Sequence, residues 1–148
     1  MTADNFLALE PELIARLAGQ LADLSPKVKV LSAVDLAGVA EEQQVTPAVH
    51  LVYRGYRVVE TRPDGRAVRI EQTWLAVVAT TNKRNLRTGE AARNEAGLIA
   101  RRVCSALMGF KPAPAAKPLR LTDGPEAGFS NGFQYLPLAF VAELAITP

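Results

Sequence analysis

The chain has very few of the residues that most catalytic and metal-binding sites require. It contains one cysteine and one histidine among 148 residues, and aromatic residues make up only 6%. Cys104 has no second cysteine with which to close a disulfide in the chain, which is typical of proteins in a reducing compartment. One cysteine and one histidine also exclude a four-ligand thiolate and imidazole zinc site within a single chain.

Nucleophilic and acid–base sites are equally hard to assemble from this composition. His50 is the sole histidine, so it would have to serve any Ser/His/Asp triad, and no acidic residue in its strand neighbourhood is placed to orient the ring. The pair Glu41-Glu42 lies in a predicted loop, and Asp123 and Glu126 flank a predicted turn, where solvated acids are ordinary. We therefore predict that the protein is not an enzyme and has no catalytic, cofactor-binding or metal site.

Neither an excess of one charge nor a long apolar run is present. Seventeen basic and fifteen acidic residues leave a formal charge of +2, too little for the electrostatic footprint of a dedicated nucleic-acid-binding protein. The most apolar stretch, residues 136–146, is far shorter than the roughly 20 residues that span a bilayer. The first five residues show no secretory signal. We expect a protein of the cytoplasm without a membrane segment.

The clearest signal that is present predicts a long β-hairpin from residue 48 to about residue 80. Its arms alternate as strands do and meet at Pro63-Asp64-Gly65, where glycine accepts the positive φ of a tight turn. Arms of about 14 residues span about 45 Å, whereas a compact chain of this length is about 40 Å across. The hairpin therefore either bends over the core, with a bulge at Gly55, or projects and is completed by another chain.

The rest of the pattern predicts two helices and shorter strands. Apolar residues recur every three or four positions over 13–24 and again over 92–110, with Gly109 as a stop signal. We predict strands at 28–31, 119–121 and 136–146, a helical turn at 33–39, and a turn at 128–132. The prediction is a single α+β domain over residues 1–148. Its mostly antiparallel sheet has about four or five strands, including the long hairpin, and two helices pack on one face.

The second hairpin arm is apolar on both faces beyond Trp74. Ile70, Trp74, Ala76 and Val78 share one face, and Leu75 and Val77 occupy the other. A strand covered on both sides needs a helix on one face and another layer on the second. Because two helices cannot cover both faces, Leu75 and Val77 are predicted to contribute to a subunit interface.

Basic residues form the other candidate surface. Lys83, Arg84 and Arg87 lie in the loop after the hairpin, which is either a solvated connection or a docking surface for an acidic protein edge. Arg54-Gly55-Tyr56 begins like an RNA-binding sheet motif, but the match fails at the next positions, where stacking aromatic residues are missing. A nucleic-acid-binding α+β module using Arg54, Arg57, Lys83 and Arg84 remains the alternative function.

Several segments together resemble the tail terminator proteins of Mu-like bacteriophages and related prophages. The resemblance begins with Thr46-Pro47-Ala48-Val49-His50-Leu51-Val52-Tyr53 and the hairpin that follows. It continues through Trp74-Leu75-Ala76-Val77-Val78-Ala79 and through Glu90-Ala91-Ala92 at the start of the second helix. It ends with Pro118-Leu119-Arg120-Leu121, Gly128-Phe129 and Gln134-Tyr135-Leu136-Pro137-Leu138-Ala139-Phe140, so that it covers nearly the whole chain in element order.

This resemblance implies a structural virion protein that forms a ring, typically a hexamer, on the finished tail tube. The implied partners are further copies of the chain, the tail tube protein and a head-completion or connector protein. DNA would pass through the ring without sequence-specific contact. The implied location is the virion tail, after assembly in the bacterial host cytoplasm. The family does not assign individual residues, so the interface candidates rest on local physics: Arg54, Arg57, Leu75, Val77, Lys83, Arg84 and Arg87.

Overall fold

The structure of the protein is a computed structural model that describes residues 4–41, 45–81 and 90–148. Its described elements form one mixed, open sheet of six strands with three helices, which confirms the predicted α+β class. The sheet has one strand more, and the fold one helix more, than the sequence pattern predicts. The elements in chain order are α1 (Leu9–Gln20), β1 (Lys29–Ala33), α2 (Leu36–Glu41), β2 (Ala48–Thr61), β3 (Val68–Thr81), α3 (Glu90–Leu107), β4 (Arg120–Thr122), β5 (Gly128–Ser130) and β6 (Phe133–Ile146).

The sheet is built around three long antiparallel strands. Its order is β1-β2-β3-β6-β4, and β5 also pairs with β6. Only the pairing of β1 with β2 is parallel. β4 and β5 follow one another along the outer side of β6, opposite residues 139–141 and 133–135 of that strand. β6 is paired with β3 along its whole length, so the hairpin lies within a wider sheet.

The hairpin forms where the Asp-Gly signal predicts it. β2 and β3 each contain 14 residues, and Gly65 adopts the positive φ of 73° that the turn requires. The Arg62 backbone N–H donates to the Ala67 carbonyl at 2.9 Å, and the Gly65 N–H donates to the Arg62 carbonyl at 2.8 Å. Asp64 accepts hydrogen bonds from the Arg62 side chain and from the Arg66 backbone.

A bulge at Gly55 controls which side chains of β2 share a face. The pairing with β3 slips between Tyr53 and Gly55, and Gly55 has φ of 134°, a conformation that L-residues rarely adopt. Tyr53 lies opposite Trp74, and Tyr56 lies opposite Gln72. Because of the bulge both tyrosines point to the same face, where a regular strand would separate them.

The main core lies between the sheet and the helices α1 and α3. Leu9, Leu13 and Leu17 fall on one side of α1 because residues three or four apart share a helix face. They belong to the same buried cluster as Trp74 and Phe140 of the sheet. Burying a leucine side chain in this way stabilises the fold by about 2 kcal/mol. α1 and α3 therefore cover one face, as the sequence predicts.

The short helix α2 covers part of the opposite face. Val39 of α2 is buried in a second, smaller cluster with Val52, Leu75, Val77 and Ala139. The hairpin thus lies between helices at the end where β2 begins and β3 finishes, whereas none of the described helices covers this face at its turn end. The segment predicted as a helical turn at 33–39 thus contributes to the helix that covers this part of the second face.

The predicted turn at 128–132 is shorter than the pattern indicates, because its first three residues form a strand. Residues 128–130 form β5, which pairs with the start of β6 across a tight turn at Asn131-Gly132. Both turn residues have positive φ, 52° for Asn131 and 83° for Gly132, and Asn-Gly is a strong signal for this kind of hairpin. Pro137 lies inside β6, in the gap between the stretches paired with β5 and β4, where the ladder is interrupted.

Candidate interaction surface

Half of β2 has an unpaired edge. β1 pairs only with the first part of β2, from Ala48 to Val52. From residue 53 to residue 61, β2 has no strand beside it on that side within the part of the chain that the structure describes. We call residues 53–61 the open edge. Its backbone N–H and C=O groups on the outer side are free to pair with another strand.

The face opposite α1 and α3 carries ion pairs around the open edge. The Arg57 guanidinium donates to the Glu71 carboxylate at 2.5 Å, and the Arg120 guanidinium donates to the other oxygen at 2.5 Å. The Glu71 side chain is only 13% exposed. Its pKa lies below the ordinary value because of the hydrogen bond from Arg120, followed by that from Arg57. These two arginines therefore stabilise the ionised carboxylate.

A second row of charges crosses the same face nearer the hairpin turn. Arg69 pairs with Glu60 at 3.1 Å and with Glu143 at 2.9 Å. Lys117 approaches the second oxygen of Glu143 at 3.4 Å. Glu143 is buried, and a buried carboxylate is tolerated only when it is paired in this way. We call the two rows together, residues 57, 60, 69, 71, 117, 120 and 143, the ionic face.

Arg54 differs from Arg57, Arg69 and Arg120 on this face, because no ion pair joins its guanidinium to a described residue. It is exposed at the bulge and lines a shallow cleft of about 520 Å³ beside Arg57 and Arg120. The carboxylates of Glu71 and Asp123 also line this cleft. Three guanidinium groups against two carboxylates leave one net positive charge, which favours an acidic group on a partner.

On the opposite face of the sheet, the one that α1 and α3 cover, the open edge is apolar. Tyr56 is 59% exposed and Val58 is 50% exposed. Phe6 lies against Tyr56 with ring centroids 5.3 Å apart in an edge-to-face arrangement. The Gln72 side chain donates a hydrogen bond of 2.7 Å to the Phe6 carbonyl, which ties the N-terminal segment to the hairpin. Exposed apolar side chains grouped beside an unpaired strand are typical of interaction sites.

The predicted interface residues fall in three different places. Arg54 and Arg57 line the cleft beside the open edge. Leu75 and Val77 do lie on the face opposite Trp74, but they are 2% and 0% exposed because α2 and the neighbouring strands cover them. The expectation that two helices leave these side chains uncovered is wrong, because the third helix, α2, packs over them; their part in a subunit interface stays a prediction. Lys83, Arg84 and Arg87 lie outside the described residues.

Two important members of the surface were missed by the sequence analysis. Glu71 holds Arg57 by an ion pair and is itself paired with Arg120, yet neither Glu71 nor Arg120 was among the predicted interface residues. Because side chains alternate along a strand, the sequence does predict that Glu71 points to the same face of the sheet as Leu75. Its pairing with Arg57 depends on the bulge, which the sequence locates only approximately.

Cys104 and His50, the residues considered as nucleophile and base, are partly and fully buried. Cys104 is half-buried on α3, and burial raises the pKa of its thiol, so the reactive thiolate is disfavoured. His50 is buried in β2 on the face that α2 covers. No group of three or more potential metal ligands occurs among the residues 4–41, 45–81 and 90–148. The helices in those ranges are all too short or too polar to cross a membrane.

Comparison with known proteins places this surface in a biological context. No curated protein matches the chain. A family model described as "Phage tail terminator protein" matches residues 2–148, a range that includes the whole sheet, all three helices and the open edge. A match over this range is far more than half of the chain, and it agrees with the resemblance seen in the sequence. The chain therefore belongs to the phage tail terminator protein family.

Proposed function

We propose that the protein forms a ring that caps the phage tail tube, stops tube polymerisation and offers the surface to which the head joins. The observation that carries this proposal is the family match over residues 2–148. The ring consists of copies of this chain, six of them in our proposal. It is assembled in the bacterial host cytoplasm, and its partners are the tail tube protein on one side and a head-completion or connector protein on the other.

The open edge and its surroundings support a role in assembly. An unpaired strand with exposed apolar side chains is a liability in a protein that remains alone, because it invites pairing with other chains. In a ring, the same features become buried contacts. Arg54, whose guanidinium forms no ion pair with a described residue, is suited to an acidic group across such a boundary.

The remaining candidates take different roles in this proposal. Lys83, Arg84 and Arg87 form a docking surface for an acidic edge of the tube or head-completion protein. Arg57 is held by Glu71 and shapes the cleft in which Arg54 lies. Leu75 and Val77 act indirectly, because they anchor α2 against the sheet.

The test is a phage that lacks the gene for this protein. Without a cap, tube subunits continue to add, so we expect overlong or irregular tails without heads, together with DNA-filled heads without tails. Supplying the intact gene from a plasmid is the control and restores joined particles. Tails of normal length joined to heads in the deletion phage would contradict the proposal. Salt-dependent retention of DNA by the purified protein would then favour the nucleic-acid-binding alternative.

A further inference from the structure

We infer that neighbouring subunits join head to tail by strand pairing, with the open edge of one copy against the β4–β5 edge of the next copy. This inference rests on the proposed ring and specifies how its subunits meet. It follows from the two ends of the sheet, which differ from each other and complement each other.

Two bulges and the charged residues Arg54, Arg57 and Glu60 give the open edge some protection against pairing, but two common devices are absent. Residues 53–61 contain no proline and no lysine, the residues that commonly block the edge strands of soluble proteins. Tyr56 and Val58 are exposed on it. A bulge between Val58 and Glu60 bends the strand but leaves it paired with β3 as far as Thr61. Despite its two bulges, the strand therefore stays in the sheet over its whole length and presents its outer side to a partner.

The opposite edge of the sheet is also unpaired. β4 and β5 lie along the outer side of β6, and neither has a further strand neighbour among the described residues. Gly124 packs closely against β6, since a Cβ built on it would lie 3.3 Å from the Ala139 Cβ. The segment from 120 to 130 therefore runs as one interrupted edge along β6. All residues of β4 and β5 are exposed.

Apolar side chains on the two edges point to the same side of the sheet. Leu121 lies opposite Phe140 and Phe129 lies opposite Gln134, so both point to the face that α1 and α3 cover. Tyr56 and Val58 point to that face as well, opposite Gln72 and Ile70. Leu121 is 43% exposed and Phe129 is 37% exposed. A sheet continued from one subunit to the next would bring these four side chains together and bury them.

Charges on the two edges are complementary. Arg54 projects beside the open edge without an ion-pair partner in the described chain. Between β4 and β5 the chain carries two exposed acidic residues: Asp123, which lines the same cleft as Arg54 of its own subunit, and Glu126, which lies outside that cleft. Strand pairing between copies would bring the basic residue of one subunit near the acidic connection of the next. Such complementarity fixes orientation and suppresses the pairing of two like edges.

The arrangement also has the geometry that a ring needs. A contact between two different surfaces is heterologous, so each subunit keeps one free edge after joining and the chain of contacts continues until it closes. Pairing of two open edges would instead give a symmetric dimer that stops at two copies. The two unlike edges are therefore compatible with a ring, which closes when the rotation between neighbouring subunits divides a full turn and otherwise gives a filament.

Engineered cysteines test this inference in a Cys104→Ala background, with tail tubes present to promote assembly. We expect Val58→Cys combined with Leu121→Cys in one chain to form a ladder of disulfide-linked oligomers. Val58→Cys with Phe129→Cys tests the other half of the β4–β5 edge, and a ladder from either pair supports the inference. A mixture of the corresponding single variants should stop at linked dimers, because each chain then has only one reactive edge. Val58→Cys with Thr122→Cys is the matched control, since Thr122 points to the opposite face.

The possible outcomes distinguish a failure of the inferred subunit interface from a failure of the proposed function. Rings seen by electron microscopy without a ladder from either test pair would overturn edge pairing and leave the ring proposal intact. Linked dimers of the Val58→Cys single variant alone would show symmetric pairing, which also overturns the inference. Absence of rings from the wild-type protein on tube ends would overturn the proposed function and this inference together.

Discussion

At the scale of single residues, the ionic face depends on two carboxylates. Glu71 joins Arg57 of β2 to Arg120 of β4 across the sheet, and Glu143 joins Arg69 to Lys117. Each carboxylate is well shielded, whereas its basic partners are exposed. The carboxylates thus connect strands that are not all adjacent, at the end of the hairpin that has no helix on this face.

Replacing Glu71 by Gln should reduce stability in a pH-dependent way. The folded state lowers the pKa of Glu71 from its ordinary value of 4.5, so its contribution is present above that value and is lost as pH falls through the folded-state pKa. We expect a loss of about 1 kcal/mol at neutral pH, because the arginines are exposed to solvent. Urea unfolding at pH 7 and near pH 3 measures the difference. Glu60→Gln, at an exposed carboxylate, is the control. An equal loss at both pH values would contradict the ion-pair explanation.

Replacing Leu75 by Ala should destabilise the fold of the single subunit. Leu75 is 2% exposed and packs with Val39 and Val52 beneath α2, so truncation leaves a cavity and costs about 2–5 kcal/mol. The matched control is Leu98→Ala on α3, where the side chain is 67% exposed and the loss should stay below about 1 kcal/mol. Chemical denaturation of both variants measures the effect. An unchanged unfolding midpoint combined with lost assembly would assign Leu75 to the subunit interface instead.

At the scale of secondary-structure elements, local signals predicted most of the fold. The Asp64-Gly65 turn located the hairpin, and helical periodicity located α1 and α3. β5 was missed because it has only three residues, too few for alternation to be recognised, although Asn131-Gly132 marked its turn. Pro137 donates no ladder hydrogen bond, and it is tolerated inside β6 because the outer neighbour is interrupted at that point.

The candidate surface was less predictable because it depends on tertiary packing. Arg54 and Arg57 could be selected from the sequence, but their surroundings could not. Two register shifts in β2 separate the hairpin turn from Tyr53, so counting from the turn does not give the residue opposite Arg57. Strand parity placed Leu75 on the correct face. What covers that face is α2, a helix of six residues, which is too short for its period to be distinguished from a turn.

Gly55 provides a test of the bulge as a structural element. Its φ of 134° is unfavourable for other residues, yet a Cβ at this position would meet nothing within 4 Å. Gly55→Ala should therefore cost about 1–3 kcal/mol through backbone strain alone. Gly97→Ala is the matched control, because a Cβ there also meets nothing and alanine stabilises a helix interior by about 1 kcal/mol. Thermal unfolding of both variants should show shifts of opposite sign. Stabilisation by Gly55→Ala would mean that the bulge is not required.

At the scale of the whole molecule, the sheet is covered unevenly. Helices lie on both faces where β2 begins and β3 ends, whereas the turn end exposes the open edge, the cleft and the ionic face. As a member of the phage tail terminator family, the protein is a structural component of the phage tail. The end of the sheet with helices on both faces stabilises the fold, and the end with helices on one face is available for contacts. The residues needed for folding are therefore largely separate from those available for assembly.

The proposed cap makes a quantitative prediction about tube length. A ring acts only at the growing end, so the amount needed depends on the number of tube ends and not on the number of tube subunits. When increasing amounts of the purified protein are added to polymerising tail tube protein, we expect the mean tube length measured by electron microscopy to fall and then to stop changing once each growing end has one ring. A protein that instead bound free tube subunits would shorten tubes in proportion to its own concentration, up to one copy per subunit. A continued decrease of that kind would contradict capping, because binding at an end leaves the free subunits competent to polymerise.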